Sequence, residues 1–547
     1  MAREYAVVNQ RLHPSMQSVD SVGDVVSAAA DAWGDEPFLT DAPTGETVTF
    51  AALDERSSRL ANALANIGVE AGDRVGLYLT NGPTYVDAIF ACAKLGAIQT
   101  PINWDYRERE AKHALDRAEI STVIAEPSGT ITDVLPAVSA DADSLESVVA
   151  TDENGFDGID GAETYDLQDI EAAASSTRPD RSIDPTDPHA ILYTSGTTGL
   201  PKAAVLSNRS FLLASKSFLG VPLEGANYNP YPLFHANNQC YSLLGSLVNG
   251  TEYVLGDEFS AAGFWDVVTT YGVTSFNLIG GVPKILDATY DESEIPANDL
   301  QWGIGPISTE LWEHFERKFD LTVIQIYSQS ESPTLLMNHP DPAKVKVGAI
   351  GKPMFPDEGH EAWVEDEDGN RVDPGTPGEL VRTDPGSMIE YWNQPEKTRE
   401  TLRDGNTYSG DVVKQDEDGY LYYIDRKKFM VRRGGENISA QEVENVIDEL
   451  PGVETSAIFP VPDEFRGEEV KVAVKRNDES VSERDVVLQV ARSLAPQKVP
   501  RYVEFVDEFP LTPTARIQRV TLADEEKERT DHGWDRNEEF PDWESEL

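Results

Sequence analysis

The stretch His189–Val205, HAILYTSGTTGLPKAAV, indicates both the fold and a functional site. Its first six residues are typical of a buried strand, which runs directly into a turn crowded with glycine and hydroxyl side chains. Backbone N–H groups and hydroxyls on such a turn converge on an anion, so the turn predicts a phosphate site. The order Gly196-x-x-Gly199-x-x-Lys202, followed by Ala203, departs from the standard nucleotide loop, in which glycine directly precedes lysine. A flexible surface turn is the alternative.

Helical and strand patterns alternate along the first half of the chain. Phe50–Val69 has apolar residues at helical spacing, whereas Arg74–Thr80 and Ser121–Glu126 are typical of buried strands. Such alternation predicts a largely parallel sheet with helical crossovers. Residues 130–187 are polar and acidic, and we expect a surface elaboration there. Further along, Leu321–Ser328 is a candidate strand.

The sequence therefore predicts an α/β protein in three parts. Residues 1–424 form a large N-terminal domain of mostly parallel sheets, with a β-rich subdomain from about residue 345. Residues 425–522 form a small, mobile α+β domain, in which the capping box Ser439–Glu442 opens an amphipathic helix. Residues 523–547 form an acidic tail that we expect to be solvated and to fray.

The composition restricts the possible functions. At 547 residues, the chain exceeds what one hydrophobic core usually covers. The formal net charge is -52, and the chain has only 17 lysines against 28 arginines. This charge argues against nucleic-acid binding, because no net positive charge is available for phosphates. It favours adaptation to a salt-rich cytoplasm, where screening reduces self-repulsion; an acidic docking surface for a basic partner is the alternative.

Cysteine and hydropathy patterns exclude further classes of protein. Cys92 and Cys240 are too few for a disulfide framework or a four-cysteine metal site. The eight histidines are scattered, which disfavours a metal held by nitrogen or sulfur ligands alone. The first residues lack a signal-peptide core, and no apolar run reaches the length of a membrane span. We expect a soluble cytoplasmic protein, with a homodimer left open.

The glycine-rich turn and six further segments resemble the adenylate-forming superfamily, which includes acyl-CoA synthetases, firefly luciferase and nonribosomal-peptide adenylation domains. The segments follow in the family's order over roughly residues 25–520. They are PLFHANNQ (Pro232–Gln239), GIGPIS (Gly303–Ser308), YSQSE (Tyr327–Glu331), GEL…MIEYWNQPEKT, YSGDVVKQDEDGYLYYIDRKKFMVRRGGENIS and PLTPTARIQR. FNLIGGVPKIL and DRKKFMVRRGGENIS look loosely nearest the branch that contains carnitine/crotonobetaine–CoA ligases.

The resemblance implies an AMP-forming acyl-CoA synthetase. Such an enzyme activates a carboxylic acid with ATP to an acyl-adenylate and pyrophosphate, and then forms the CoA thioester and AMP. The implied cofactors are ATP, CoA and Mg²⁺, and the implied partners are these and a small carboxylic acid. The residues that match the family's catalytic positions are Lys202, His235, Glu331 and Arg516, and the implied metal ligands are Glu331 and Thr194.

The resemblance also implies a set of nucleotide- and CoA-binding residues. They are Thr194, Ser195, Gly196, Thr197, Thr198, Gly199, Gly303, Gly305, Pro306, Tyr327, Ser328, Ser330, Asp411, Arg426, Lys428, Gly434, Gly435 and Glu436. Asp411 is implied to hold the ribose hydroxyls. Lys428 falls at the family's hinge, about which the small domain rotates between the two half-reactions.

The last motif departs from the family pattern, which usually ends Thr-x-x-Gly-Lys. Here it ends Thr514-Ala515-Arg516, and arginine keeps the charge but differs in reach and geometry. Ser328 also stands where glycine is usual. We predict that Arg516 takes the lysine's role. Two other functions stay open: an adenylating enzyme that loads a carrier protein, and a nucleotide-binding homologue without ligase activity.

Overall fold

The structure is a computed structural model, and its described residues fall into two compact units. It describes residues 12–546 except 153–154, 157, 195–200, 222–223, 280, 428, 434–435, 464–466, 495, 512–516, 528 and 530–531. The first unit holds the described residues of Met1–Thr194, Leu200–Ala362 and Val381–Tyr408. The second holds those of Trp363–Leu380 and Ser409–Leu547. Among these residues, no helix is long and apolar enough to cross a bilayer.

The α-helices are mostly short and follow the strands in alternation through the first unit. They are Val22–Trp33, Phe50–Asn66, Pro83–Leu95, Glu108–Ala118, Ile131–Ser139, Leu167–Ala172, Asn208–Ser217, Leu244–Asn249, Phe264–Thr270, Val282–Thr289, Thr309–Phe319, Pro395–Thr401, Ala440–Asp448, Glu483–Ser493, Arg519–Glu526 and Arg536–Glu539. A π-helix spans Asn237–Leu243.

The strands are numbered in chain order. They are β1 (Pro37–Asp41), β2 (Thr47–Thr49), β3 (Arg74–Tyr78), β4 (Ile98–Pro101), β5 (Thr122–Ala125), β6 (Ser147–Ala150), β7 (Glu163–Asp166), β8 (Pro188–Thr194), β9 (Lys202–Ser207), β10 (Ala226–Asn229), β11 (Tyr253–Leu255), β12 (Val273–Asn277), β13 (Trp302–Ile304), β14 (Thr322–Ile324), β15 (Ile326–Gln329), β16 (Ser332–Met337), β17 (Ala349–Pro353), β18 (Glu361–Glu365), β19 (Gly378–Thr383), β20 (Glu390–Tyr391), β21 (Leu402–Arg403), β22 (Asn406–Gln415), β23 (Leu421–Arg426), β24 (Val431–Arg433), β25 (Glu436–Ile438), β26 (Val453–Asp463), β27 (Gly467–Arg476), β28 (Tyr502–Phe505) and β29 (Trp534–Asp535).

An eight-stranded sheet in the first unit carries the opening stretch of sequence. Its order is β20-β9-β8-β4-β3-β5-β6-β7. The strands from β8 to β7 are parallel, whereas β9 and β20 add to the edge in antiparallel orientation. The prediction of a surface elaboration over residues 130–187 is wrong in part, because β6 and β7 extend this sheet. Val148 and Val149 of β6 are fully buried.

A second, seven-stranded sheet lies in the same unit, in the order β14-β13-β12-β10-β11-β1-β2. All its pairs are parallel except that of β1 with β2. The single strand predicted over Leu321–Ser328 is wrong, because the chain changes sheets at the buried Gln325. β14 completes the second sheet, and β15 instead forms an antiparallel ladder with β16 and β17.

The second unit is an α+β structure built on the hairpin of β26 and β27. β28 pairs with β27 in parallel, and β24 pairs with both β25 and β27. The helix Ala440–Asp448 begins as predicted at Ser439, whose hydroxyl accepts from the Glu442 amide at 3.2 Å. Only half of the capping box is present, because the Glu442 carboxylate pairs with Lys498 at 2.6 Å. Side chains from this helix and these strands share one core.

The acidic tail is folded where the structure describes it, so the expectation of fraying is wrong. β29 pairs with β28. Phe540 and Trp543 are buried in the core of the second unit. The buried Arg536 donates to the Val499 carbonyl at 2.9 Å. Apolar contacts and a buried guanidinium that is hydrogen-bonded to the main chain thus fix a segment whose composition alone indicates a solvated tail.

Candidate functional site

The two flanks of the predicted phosphate turn are held together by sheet register. Thr194 ends β8 and Lys202 begins β9, and their Cα atoms are partners across the antiparallel pair. β8 belongs to the parallel part of the sheet, so this end lies at the carboxyl edge, where α/β sheets usually bind ligands. Residues Ser195, Gly196, Thr197, Thr198 and Gly199 lie outside the described residues.

The side chains of Lys202 and Glu331 both contact Tyr391, a residue of the edge strand β20. Tyr391 pairs with Ala204 across β20 and β9, which places its ring diagonally opposite Lys202. The Lys202 ammonium lies 4.4 Å from the centre of the Tyr391 ring and 3.5 Å from its hydroxyl. That hydroxyl donates to Glu331 Oε1 at 2.6 Å. The structure therefore joins two sequence-predicted catalytic residues through a third side chain.

The electrostatics of this cluster suit an anionic ligand. Burial lowers the pKa of the Lys202 ammonium below its usual value, although the Glu331 and Glu400 carboxylates oppose the shift. Lys397, on the helix Pro395–Thr401, adds a second positive charge that lowers this pKa further. A partly desolvated ammonium has lost hydration that phosphate oxygens can replace.

A buried guanidinium holds the start of β16, directly after the turn that carries Glu331. Arg382 is fully buried and donates to the Ser332 carbonyl at 3.0 Å and to the Thr334 carbonyl. The Ser332 hydroxyl donates to Asp384 at 2.5 Å. On the other side, the Met388 amide donates to the Glu331 carbonyl at 2.8 Å. The backbone at Glu331 is thus held on both sides while its carboxylate reaches Tyr391.

Three predicted nucleotide-binding residues flank Glu331. Tyr327 and Ser328 lie in β15, and Ser330 lies in the turn that leads to β16. The Tyr327 ring is 6.0 Å from the Arg382 guanidinium carbon. The buried Tyr241 hydroxyl donates to the Pro333 carbonyl at 2.6 Å, which adds a contact to the start of β16, directly after this turn. The buried contacts of Arg382 and Tyr241 favour a rigid turn.

The donor set at Glu331 fits Mg²⁺ only together with a ligand that brings its own oxygens. No group of three or more His, Cys, Asp or Glu side chains that could hold a metal occurs within the described part of the chain. Glu331 offers a carboxylate and Thr194 a hydroxyl. Mg²⁺ is typically held by one or two carboxylates, water and substrate phosphates, so these residues fit a magnesium ion that arrives with a nucleotide.

The predicted adenine-side loop approaches the end of β12 closely. Gly305 has φ +146°, and a Cβ atom placed there would lie 1.9 Å from the Leu278 carbonyl oxygen. The Gly305 amide donates to Ile324 at 3.0 Å, and the Leu278 amide donates to Ile304 at 2.8 Å. Gly303 lies in β13, and Pro306 directly follows Gly305. Only glycine fits at position 305 without moving the backbone.

His235 lies in an aromatic cluster just before the π-helix Asn237–Leu243. Its ring centre is 4.5 Å from that of Phe234, which in turn lies 4.8 Å from the Trp104 ring. The His235 carbonyl accepts from the Gln239 amide at 3.3 Å. π-helical turns occur frequently at functional sites, and the role predicted for His235 stays a prediction.

The predicted ribose residues lie in the second unit. Asp411 and Arg426 are Cα partners across β22 and β23, and Arg426 Nε lies 2.6 Å from Asp411 Oδ1. The Asp411 side chain is buried, whereas about a third of the Arg426 side chain is exposed. Glu436 begins β25, but its side chain is outside the description. The predicted residues Lys428, Gly434, Gly435 and Arg516 lie outside the described residues.

Comparison with known proteins assigns the family. The model of the AMP-binding enzyme family matches residues 26–392, and that of the AMP-binding enzyme C-terminal domain matches residues 442–516. The chain belongs to the AMP-binding enzyme family. This result confirms the predicted superfamily, and the sheets described above confirm the predicted α/β class.

Named relatives of this AMP-binding enzyme cover most of its length. It is 31% identical over 496 residues to the fatty acid–[acyl-carrier-protein] ligase ScoC of Streptomyces coeruleorubidus, which covers 88% of this chain and 92% of that one. It is 28% identical over 486 residues to the crotonobetaine/carnitine–CoA ligase of Salmonella typhi, covering 87% and 92%. The crystal structure of ATP-bound MatB from Rhodopseudomonas palustris superimposes with a TM-score of 0.80 at 26% identity, covering 92% and 99%.

Sequence reasoning missed two side chains that shape the site of this AMP-binding enzyme. Tyr391 lies within the segment MIEYWNQPEKT, and Arg382 lies two residues after GEL, but the motifs assign a role to neither. An arginine that directly follows apolar strand residues, as Arg382 follows Leu380 and Val381, is a signal for a buried, hydrogen-bonded cation. Tyr391 carries no such signal, because its role depends on a strand pairing that the sequence does not specify.

Proposed function

We propose that this AMP-binding enzyme is an AMP-forming acyl-CoA synthetase. It activates a carboxylic acid with ATP to an acyl-adenylate and pyrophosphate, and then transfers the acyl group to CoA with release of AMP. One observation carries the proposal: Lys202 and Glu331 converge on Tyr391 beside Thr194, at the carboxyl edge of the parallel sheet. The likeness to an ATP-bound structure supports the nucleotide.

In the first half-reaction, an oxygen of the acid attacks the α-phosphorus of ATP, the bond to the bridging oxygen breaks, and pyrophosphate leaves. Lys202 binds the β- and γ-phosphates and neutralises charge that grows on them as pyrophosphate departs. Glu331 and Thr194 would hold Mg²⁺, which supplies charge stabilisation on the phosphate oxygens. Asp411 and Arg426 bind the ribose in this proposal.

In the second half-reaction, the CoA thiol attacks the acyl carbon, its proton is lost, and AMP leaves. We assign thiol access to the segment that contains Gly434, Gly435 and Glu436, with Lys428 as the hinge of the small domain and His235 near the acyl group. Arg516 takes the place of the usual lysine at the carboxylate and α-phosphate. These assignments rest on the motifs of this chain.

Pyrophosphate release tests the proposal directly. The full-length protein, MgATP and CoA are incubated in molar KCl with short, medium, long-chain, aromatic and betaine-type acids. At least one acid should give pyrophosphate, AMP and an acyl-CoA, each dependent on the acid. Glu331→Gln and Lys202→Met should lose about a hundredfold or more of the rate. Release of no pyrophosphate with any acid, despite ATP binding, would instead favour a nucleotide-binding homologue without ligase activity.

A second acceptor is favoured by one comparison. The relative ScoC is named a fatty acid–[acyl-carrier-protein] ligase, and this chain is 31% identical to it. Replacing CoA by holo acyl carrier protein in the same assay separates the two acceptors by product. Formation of acyl-carrier protein alone would replace CoA in the proposal, whereas the adenylation step would stand.

We further propose that the enzyme works in a salt-rich cytoplasm. The formal net charge of -52 supports this, because screening reduces repulsion within a highly acidic protein. The thermal midpoint of unfolding should therefore rise between 0.1 and 2 M KCl. A midpoint that falls over this range would contradict the proposal. Sedimentation in the same buffers tests the homodimer.

A further inference from the structure

Within the described part of the first unit, Tyr391 differs from Tyr193 and Tyr241 in the contacts of its hydroxyl and ring. Only 1% of Tyr391 is exposed. The Tyr193 and Tyr241 hydroxyls donate to the main-chain carbonyls of Ala114 and Pro333. The Tyr391 hydroxyl instead donates to the Glu331 carboxylate at 2.6 Å, while its ring faces the Lys202 ammonium at 4.4 Å.

The backbone around Tyr391 keeps both contacts in place. Tyr391 is paired with Ala204, two residues along β9 from Lys202. Since side chains two apart on a strand share a face, the ring is directed to the same side as the ammonium. The Tyr391 amide donates to the Thr398 hydroxyl at 3.0 Å, which further fixes the backbone at this residue.

We propose that Tyr391 is a positioning residue, which orients the Glu331 carboxylate for the metal–nucleotide complex and holds the Lys202 ammonium beside it until the triphosphate binds. This inference rests on the proposed function. The hydroxyl occupies one oxygen of Glu331 and thereby directs the other toward the ligand. The ring attracts the ammonium by its negative face, and phosphate oxygens replace that attraction when ATP enters.

The two contacts can be separated by substitution. Tyr391→Phe removes the hydroxyl, and with it the bond to Glu331 and the 3.5 Å contact to the Lys202 ammonium, but it keeps the ring beside that ammonium. Tyr391→Leu removes both contacts. The matched control is Tyr85→Phe, since Tyr85 is fully buried in the same core and its hydroxyl has no hydrogen-bond partner among the described residues. The control removes a buried hydroxyl without touching the site.

The measurement is calorimetric binding of α,β-methylene-ATP to each full-length protein, with and without MgCl₂. The methylene bridge of this analogue does not break, so it cannot donate its adenylyl group to an acid, and binding is measured without catalysis. For Tyr391→Phe, the affinity gained on adding MgCl₂ should fall about tenfold, because a charge-assisted hydrogen bond is lost, while the metal-free affinity stays near that of the unmodified protein. Tyr391→Leu should weaken binding in both conditions, and Tyr85→Phe should change neither.

An unchanged magnesium effect in Tyr391→Phe overturns the inference, as does an equal loss in Tyr85→Phe. Thermal midpoints of all variants are measured alongside. Should Tyr391→Leu fail to fold, the comparison of the two phenylalanine variants still decides. If the unmodified protein does not bind the analogue, the proposed function and this inference both fail. If the unmodified protein binds the analogue and also releases pyrophosphate from ATP in the acid-dependent assay, the proposed function stands and the variants test only this inference.

Discussion

Replacing Gly305 by alanine should destabilise the first unit by a clash that its neighbours cannot relieve. The new Cβ atom would lie 1.9 Å from the Leu278 carbonyl oxygen and 2.8 Å from its carbon. Because the contact is with backbone, one of the two strand ends must move by roughly 1 Å. That movement strains the 2.8 Å bond from the Leu278 amide to Ile304 and the 3.0 Å bond from the Gly305 amide to Ile324.

Two effects lower the free energy of unfolding of Gly305→Ala, and their magnitudes add. A positive φ at a residue with a side chain costs about 1–3 kcal/mol, and overpacking costs about 1–3 kcal/mol more. The control Gly359→Ala isolates the first cost, since Gly359 has φ +85° and its Cβ would meet nothing within 4 Å. We therefore expect Gly305→Ala to cost about 2 kcal/mol more than Gly359→Ala.

The assay is urea unfolding of both variants, followed by tryptophan fluorescence in molar KCl. Gly305→Ala should unfold at a clearly lower urea concentration than Gly359→Ala, and it should bind α,β-methylene-ATP more weakly. Equal midpoints for the two variants would refute the packing argument. A midpoint for Gly305→Ala equal to that of the unmodified protein would refute the backbone argument as well.

Four further predictions follow from charges and burial. Burial lowers the pKa of Lys202, and bound phosphate raises it again, so ATP binding should take up protons at alkaline pH. Calorimetry in two buffers of different ionisation enthalpy measures this uptake, which Lys202→Met should abolish. Burial lowers the pKa of His189 to about 3, whereas in the unfolded chain the pKa of this imidazole is about 6.5. Between these two pH values the unfolded state binds more protons than the folded state. The free energy of unfolding therefore falls as the pH drops below about 6.5. Thermal midpoints from pH 7.5 to 4.5 should therefore fall less steeply in His189→Gln. Trp543→Ala should lower the thermal midpoint by removing about 3 kcal/mol of packing in the second unit, and resistance of the tail to protease reports the same loss. The KM for ATP should stay level or fall between 0.2 and 2 M KCl, and a steep rise would contradict the proposed adaptation to salt.

The sequence predicts those elements whose apolar pattern and turn residues agree. β8 and the flanks of the glycine-rich turn are of this kind, because a continuous apolar run meets glycine at one point. The helix Phe50–Asn66 is another, since its buried residues recur at helical spacing. The roles predicted for Lys202 and Glu331 come from family motifs, because no periodicity could assign them.

The failures have identifiable physical causes. β7 is an edge strand with no fully buried residue, so its sequence Glu163–Asp166 reads as a polar loop. The run Leu321–Ser328 is apolar on both sides of Gln325, and apolarity does not say which sheet a strand joins. In the tail, Phe540 and Trp543 are among a few apolar residues in an acidic stretch, and they are buried because a core is available to receive them.

Tyr391 illustrates the general limit of sequence reasoning about this site. Its contacts depend on the register between β20 and β9, which are separated by more than 180 residues. A shift of one residue would turn the ring to the opposite face of the sheet and break both contacts. Register is fixed by tertiary packing, so the side chain that joins Lys202 to Glu331 becomes visible only once the sheet is assembled.

The same geometry explains how a chain of net charge -52 can bind a polyanion. Repulsion between ATP and exposed carboxylates acts through water and falls off within about 3 Å in 1 M salt. Contact between Lys202 and a phosphate is instead short and partly desolvated, so salt screens it much less. High salt therefore removes the opposing interaction and leaves the favourable one. Placing Lys202 at a partly buried position is the arrangement that lets an acidic surface and an ATP site coexist.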